Sequence, residues 1–363
     1  MTVRLVWPGR DDTPIEPGGA LVEVERPRVA ERQSDRQPGL FAAPQVEGPD
    51  GIWIEGDNVA AMRALLATHE GKIGLAYLDP PYMSGTDYMH EGAGARAYGD
   101  RWADRGAYLS MLWPRLRLVH RLLAPHGTIW VQVDHRASGL VQPLLDEIFG
   151  PERLRNVIAW RRAPPLGRQV RSGQFPRNVD LLFAYAKGAG ARWRPAYSRQ
   201  VLPKGGARKD PVTGKWFTLA PRGDYTDESV ARLDAEGRIY RSPTGKVYVK
   251  YFVEEGPDGT LYKPRAVDSV WDDVAPLRHA PPKERTGYPT QKPEPLLQRI
   301  LETTSDPGDL VLDPFSGSGT TAIVAARLGR PFLAIDESPV ALDTARARFA
   351  TAGLKVRRQR VVP

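Results

Sequence analysis

The chain has 363 residues, with 51 Lys and Arg against 43 Asp and Glu, a formal net charge of +8. That is enough for one large domain or two smaller ones, each with a full core. Cysteine is absent, which excludes disulfides, thiolate chemistry and cysteine-based metal sites, and no apolar run approaches the roughly 18–20 residues of a membrane span.

Residues 1–50 are rich in Pro, Gly and charge, with short apolar stretches at Val3–Trp7 and Ala20–Val24. Arg26–Pro49 reads as a loop or extended arm. Order begins at Gly51. Ile52–Glu55 reads as a short strand, and Asn58–His69 has helical spacing, with Val59, Met62, Leu65 and Leu66 on one face. Lys72–Leu78 is apolar and short enough for a buried strand. Tyr108–Leu123 reads as an amphipathic helix stopping near Pro125-His126-Gly127, Thr128–Val133 as a buried strand and Ser138–Phe149 as a helix. Val157–Trp160 and Leu181–Ala186 are further strands. This alternation predicts an α/β fold with a mostly parallel sheet.

The alternation stops after Lys187. Residues 187–268 hold 16 Lys and Arg against 10 Asp and Glu, with β-like pieces such as Lys246–Phe252. It returns with Pro293–Thr303 (helix), Leu310–Asp313 (strand), Thr320–Leu328 (helix), Pro331–Asp336 (strand) and Ser338–Thr351 (helix). The expected organisation is an N-terminal arm at 1–50, one α/β domain in two halves at 51–186 and 269–363, and a basic insert at 187–268.

In the second half, Asp309–Thr321 reads as a strand, a tight turn through Gly317 and Gly319, and a helix start. Asp336 ends the next strand, 23 residues after Asp313. Glycines let backbone approach a ligand closely, and an acid at that place accepts hydrogen bonds from ribose hydroxyls. An ordinary turn is the alternative. The Lys of the phosphate loop is missing, and Ala322 stands where the dinucleotide pattern needs its third glycine. A ligand with a ribose and no required pyrophosphate fits better, and S-adenosylmethionine is such a ligand.

Asp79-Pro80-Pro81-Tyr82 follows the buried strand Lys72–Leu78, at a carboxyl end where open α/β sheets place their ligands. The two prolines stiffen the turn and hold out the Pro80 carbonyl as an acceptor. Asp79 offers a second acceptor and Tyr82 a flat face. This set suits a planar ring with an exocyclic amine; a rigid loop with a capping Asp is the alternative.

Asp79–Tyr82 and Asp313–Thr321, in this order, resemble the catalytic and cofactor motifs of the amino-group DNA methyltransferases. Those enzymes use S-adenosylmethionine to methylate adenine N6 or cytosine N4. The order, with a variable region between the motifs, resembles the β-class arrangement. Tyr288–Leu297 is similar to the family's segment before the glycine loop. Ile54–Asn58 and Asp79–Gly85 with Asp87 resemble type III modification-type adenine methylases, although Met83-Ser84 stand where those relatives have Asn-Thr. The resemblance covers about residues 51–186 and 268–350.

It implies a Rossmann-like methyltransferase domain with helices on both faces, and a target-recognition region in the insert. Asp79, Pro80, Pro81 and Tyr82 are the implied catalytic residues. Asp313, Phe315, Gly317, Gly319 and Thr320 would line the cofactor, Asp336 would hold its ribose, and Thr290, Gln291 and Lys292 would lie near its methionine end. Asp57 and Asn58 read equally as ligand contacts and as a helix cap before Val59. No metal is expected, because the six His show no ligand spacing.

The expected reaction is methylation of adenine N6 in duplex DNA. The alternatives are cytosine N4, or a catalytically silent recognition subunit of a restriction-modification system. In the insert, Arg192-Trp193-Arg194, Lys204, Arg208-Lys209, Lys215-Trp216-Phe217 and Arg238–Arg241 mix cations with aromatics, as phosphate contact requires. The tail Lys355–Arg360 reads as further phosphate contacts or a frayed end. The expected partner is double-stranded DNA, with a homodimer and a cognate restriction subunit as candidates. The start of the chain lacks a signal peptide's apolar stretch, so a cytoplasmic location without membrane contact is expected.

Overall fold

The computed structural model describes residues 4–26, 51–91, 94–164, 173–203 and 205–362, so most of the expected arm at Arg26–Pro49, and Lys204, lie outside the described residues. The chain divides into two compact units, residues 1–194 with 269–363, and residues 195–268. Before the division run β1 (Ala20–Glu25), β2 (Gly51–Glu55), α1 (Asn58–His69), β3 (Ile73–Leu78), β4 (Thr86–Met89), β5 (Arg96–Asp100), α2 (Arg105–Leu122), β6 (Leu123–Asp134), α3 (Ser138–Phe149), β7 (Leu154–Arg161) and β8 (Val179–Ala186). The second unit holds β9 (Tyr197–Val201), β10 (Arg208–Lys209), β11 (Trp216–Pro221), α4 (Asp227–Ala235), β12 (Ile239–Arg241), β13 (Val247–Phe252), β14 (Glu254–Glu255) and β15 (Leu261–Ala266). The first unit resumes with β16 (Val270–Trp271), α5 (Glu294–Thr304), β17 (Leu310–Asp313), α6 (Thr320–Arg327), β18 (Phe332–Asp336), α7 (Pro339–Ala352) and β19 (Val356–Val362).

Ten strands of the first unit form one sheet in the order β1-β19-β2-β18-β17-β3-β6-β8-β7-β16. β1 runs antiparallel to β19, and β8 antiparallel to β6 and β7; the remaining neighbours are parallel. This is the Rossmann-like α/β architecture expected. All six residues of β3 are buried, as a strand covered on both faces requires. β6 shows the two faces by its alternation. Ile129, Val131 and Val133 join a core with residues of α1, α2 and α3. Trp130 between them points the other way, and its indole donates to Thr304 of α5 at 2.9 Å.

Two expectations about element ends are corrected. Pro125-His126-Gly127 does not separate helix from strand: α2 ends at Leu122, and β6 starts at Leu123 and runs through this tripeptide. The register against β3 jumps from Ile73↔Leu123 to Leu75↔Thr128, so an irregularity absorbs the extra residues. Gly127 is needed there, because a Cβ would sit 2.7 Å from the Ile73 carbonyl oxygen. The basic tail is not a frayed end. It is β19, lying between β1 and β2, with Arg358 and Arg360 paired to Glu55 at 3.1 Å and Arg358 also to Glu25. Ladder hydrogen bonds and acidic neighbours on both sides hold these cations in the sheet edge.

Trp7 and Arg10 lie on α2. Trp7 packs edge-on against Trp113, and the Arg10 guanidinium sits 4.3 Å from the Trp113 ring centre.

The second unit begins at Pro195 rather than at residue 187. Lys187 donates to the Leu123 carbonyl, Trp193 stacks on Trp130 at 5.5 Å, and Arg192 and Arg194 pair with Asp306. Ion pairing and stacking tie this stretch to the main sheet, so Arg192-Trp193-Arg194 is not part of the insert. The unit itself contains a four-stranded antiparallel sheet, β10-β11-β13-β12, and a three-stranded one, β14-β15-β9. Val230 and Leu233 of α4 pack on Ile239 and Val249 to give it a small core.

Candidate functional site

β2, β18, β17 and β3 run parallel, so their carboxyl ends share one edge of the sheet. A cavity of about 520 Å³ opens there. Fourteen of the fifteen residues singled out from the sequence line it: Asp57, Asn58, Asp79 to Tyr82, Thr290 to Lys292, Asp313, Phe315, Gly317, Thr320 and Asp336. Gly319 stands behind the loop. Its φ of +76° and the 3.1–3.2 Å from a built Cβ to Ala345 and Phe349 leave room only for glycine.

The Asp79–Ser84 loop is fixed by a residue the sequence reading missed. The Asp100 carboxylate, 1% exposed, accepts from the backbone N–H groups of Tyr82, Met83 and Ser84 at 2.8–3.1 Å and from the Trp102 indole at 2.9 Å. Three successive N–H donors converge because the chain bends through Met83 at φ +62°. Asn adopts that left-handed conformation more readily than Met. Met83 packs against the core instead.

Asp79 carries two donors. The Tyr82 hydroxyl bonds its Oδ1, and Lys292 Nζ bonds its Oδ2. Burial, and then the Asp79 charge, push the Tyr82 phenol well above its ordinary value. The sequence points to a stacking role alone for Tyr82; its hydroxyl is also a partner of the carboxylate.

On the other side, Asp336 braces the glycine turn. Its Oδ2 accepts from Gly317 N at 2.8 Å and its Oδ1 from Ser338 N at 2.9 Å. Burial pushes its carboxyl up to about 6, and that of Asp313 up to about 7. At Gly317, φ is +50° and a Cβ would come 3.0 Å from the Tyr288 ring. The Ser316 hydroxyl, buried and lining the cavity, has no hydrogen-bond partner among the described residues. A bare glycine backbone, an unsatisfied hydroxyl and a carboxylate with spare acceptor capacity fit a nucleoside with a polar amino-acid tail.

Asp57 caps α1, accepting from Ala60 N at 2.9 Å, and Asn58 donates to the Pro314 carbonyl at 2.8 Å. Both also face the cavity, so capping and lining coexist. Arg115 of α2 ties them together, donating to Asn58 at 2.6 Å and Asp57 at 3.1 Å. Arg115 was also missed, because nothing near it in sequence marks it out from other helical arginines.

A family model described as DNA methylase matches residues 73–347. The type II methyltransferase M.EcaI of Enterobacter cloacae is 33% identical over 325 residues, covering 82% of this chain and 69% of the relative. The StyLTI Mod subunit of a type III restriction-modification enzyme of Salmonella typhimurium is 25% identical over 353 residues, 81% of this chain. The chain spans about half the length of that subunit, 53%. The solved M1.HpyAVI–SAM complex covers 82% of this chain and 98% of its own, at 16% identity and a TM-score of 0.48.

Proposed function

We propose that this chain, which belongs to the DNA methylase family, transfers a methyl group from S-adenosylmethionine to the exocyclic N6 amine of an adenine flipped out of duplex DNA. The observation that carries the reading is one cavity holding both the Asp79–Tyr82 loop and the glycine turn with Asp336. The cofactor supplies a methyl group on a sulfonium, so a good leaving group is already present.

What remains for the protein is the nucleophile, an amine whose lone pair is delocalised into the base. Asp79 and the Pro80 carbonyl accept its two N–H bonds and turn the lone pair toward the methyl group. Asp79 then stabilises the positive charge that develops on nitrogen, the rigid loop contributes alignment, and the methylated nitrogen afterwards releases its surplus proton to solvent. Flipping the base costs a few kcal/mol, and stacking on Tyr82 returns roughly 1–3 kcal/mol. Asp336 accepts from the ribose hydroxyls, and the cations of the 195–268 unit supply phosphate contacts. Asp rather than Ser at position 79 favours adenine within the family pattern. The Mod relative belongs to a restriction-modification enzyme, and the proposal extends to a cognate restriction partner.

Methylome sequencing of a host expressing this chain alone tests the reading. The expected result is N6-methyladenine at one short motif. N4-methylcytosine would overturn the choice of base, and an unmodified genome would overturn the activity.

A further inference from the structure

Both oxygens of the Asp79 carboxylate hold donors in a largely enclosed site, so an incoming amine competes with them for the approach to that carboxylate. The two donors are not equivalent. Among the described residues the Tyr82 hydroxyl, half-buried on the cavity wall, bonds only Asp79 and has no second protein acceptor in place. Lys292 has a second acceptor in place, the Thr290 carbonyl at 3.1 Å, and the Tyr82 ring face 5.5 Å from its Nζ. Thr290 is held at φ +59°, a left-handed conformation that a β-branched residue rarely takes. Its hydroxyl meets the Tyr98 phenol at 2.9 Å. Strain of this kind persists where surrounding contacts over-determine it, and it clusters at functional sites.

The charge of Lys292 matches the task. An ammonium on a carboxylate oxygen has the charge and donor type of the amine as it is being methylated. The ion pair is largely enclosed, with side chains 10% and 17% exposed. The same cation also reaches the buried Asp180, whose carboxyl burial pushes up and Lys292 pulls back down.

We propose that Lys292 is a positioning residue that occupies the amine's place on Asp79 Oδ2, holding the carboxylate ready for a cationic nitrogen, and withdraws to the Thr290 carbonyl when the flipped base arrives. The inference rests on the amine-methylation reading. It gives Lys292 a carboxylate of the protein as its partner, where the family resemblance places it at the cofactor's methionine end. Its consequence is directional. Removing Lys292 removes the competitor of the target base, so the extruded base is held more tightly while the unaided Asp79 is less well aligned.

Three measurements on the full chain test this. A double-mutant cycle of Asp79→Asn and Lys292→Met, read by thermal unfolding without DNA, reports the pair itself. The two changes should be non-additive, the double variant melting no lower than the worse single one. Affinity for S-adenosylhomocysteine should stay within about threefold in Lys292→Met, and Lys292→Arg should resemble the wild type. With 2-aminopurine beside the target adenine, Lys292→Met should raise affinity for the extruded state about threefold or more, while the single-turnover rate falls. Additive unfolding, or cofactor affinity reduced by about tenfold or more with unchanged base extrusion, would overturn the proposal. A wild-type chain that transfers no methyl group to DNA would instead sink the methylation reading, and the unfolding cycle would still judge the ion pair.

Discussion

Asp336 joins the shape of the glycine turn to the acid–base behaviour of the cofactor side. Burial raises its carboxyl to about 6, so it is ionised above that pH and gains a proton below it. The ionised form accepts from Gly317 N, Ser338 N and, on the proposed reading, ribose hydroxyls; a protonated acid loses acceptor capacity. Affinity for S-adenosylhomocysteine should therefore be full above about pH 7 and fall as the pH drops through about 6. Asp313 titrates nearby, at about 7. Asp336→Asn is the control: calorimetry should show weaker binding that has lost the inflection near 6. A second residue-scale expectation concerns Tyr82. Stacking alone would make Tyr82→Phe harmless. The hydroxyl bond to Asp79 predicts a loss of roughly tenfold in single-turnover rate, of the order of one charge-assisted hydrogen bond, with stacking retained. The motifs were legible because each is local: a strand, a stiff turn, a glycine pair. The ties between them were not. Lys292 lies 213 positions from Asp79, and Asp100 fixes a loop 16 to 18 residues before it. No periodicity encodes contacts that only the sheet's crossovers create.

The helices and buried strands were legible to within a few residues, because burial on both faces or one amphipathic stripe leaves a strong pattern. α1 and α3 fall at Asn58–His69 and Ser138–Phe149, the bounds expected from spacing and capping residues. β1, β19 and the β4–β5 hairpin escaped for the opposite reason. β19 reads VRRQRVV and shows no apolar run, while β1 falls on the short stretch Ala20–Val24, which Glu23 interrupts and which stays mostly exposed. Their pairing is set by position at the sheet's edge and by Arg–Glu contacts. Deleting residues 355–363 should leave β2 as an unprotected edge and lower Tm by about 5 °C or more in a thermal melt. If the tail were a loose phosphate-binding segment, the melt would be unchanged and DNA affinity alone would fall.

Across the whole molecule, charge is distributed differently from the sequence-based division. The 195–268 unit has 13 Lys and Arg against 10 Asp and Glu, because Lys187, Arg192 and Arg194 belong to the other unit. Several of its cations are paired internally, including Arg222 with Asp227, Arg241 with Asp234 and Lys250 with Asp210. Arg208, Lys209 and Lys215 are exposed, make no ion pair among the described residues, and lie over Tyr240, Trp216 and Phe252. Changing these three to Gln should flatten the dependence of log affinity for DNA on log salt by about 0.9 for each phosphate no longer neutralised. The paired Arg222 and Arg241 should contribute far less to that slope. No helix among the described residues is long and apolar enough to cross a membrane. The central claim, that the Asp79 carboxylate acts on the amine in the transition state, has a direct test in single-turnover methylation by Asp79→Asn on a duplex carrying the motif found in the methylome. The account predicts a rate at least about 10²-fold below wild type, with DNA and S-adenosylhomocysteine affinities nearly unchanged. A folded Asp79→Asn protein that methylates at close to the wild-type rate would contradict it.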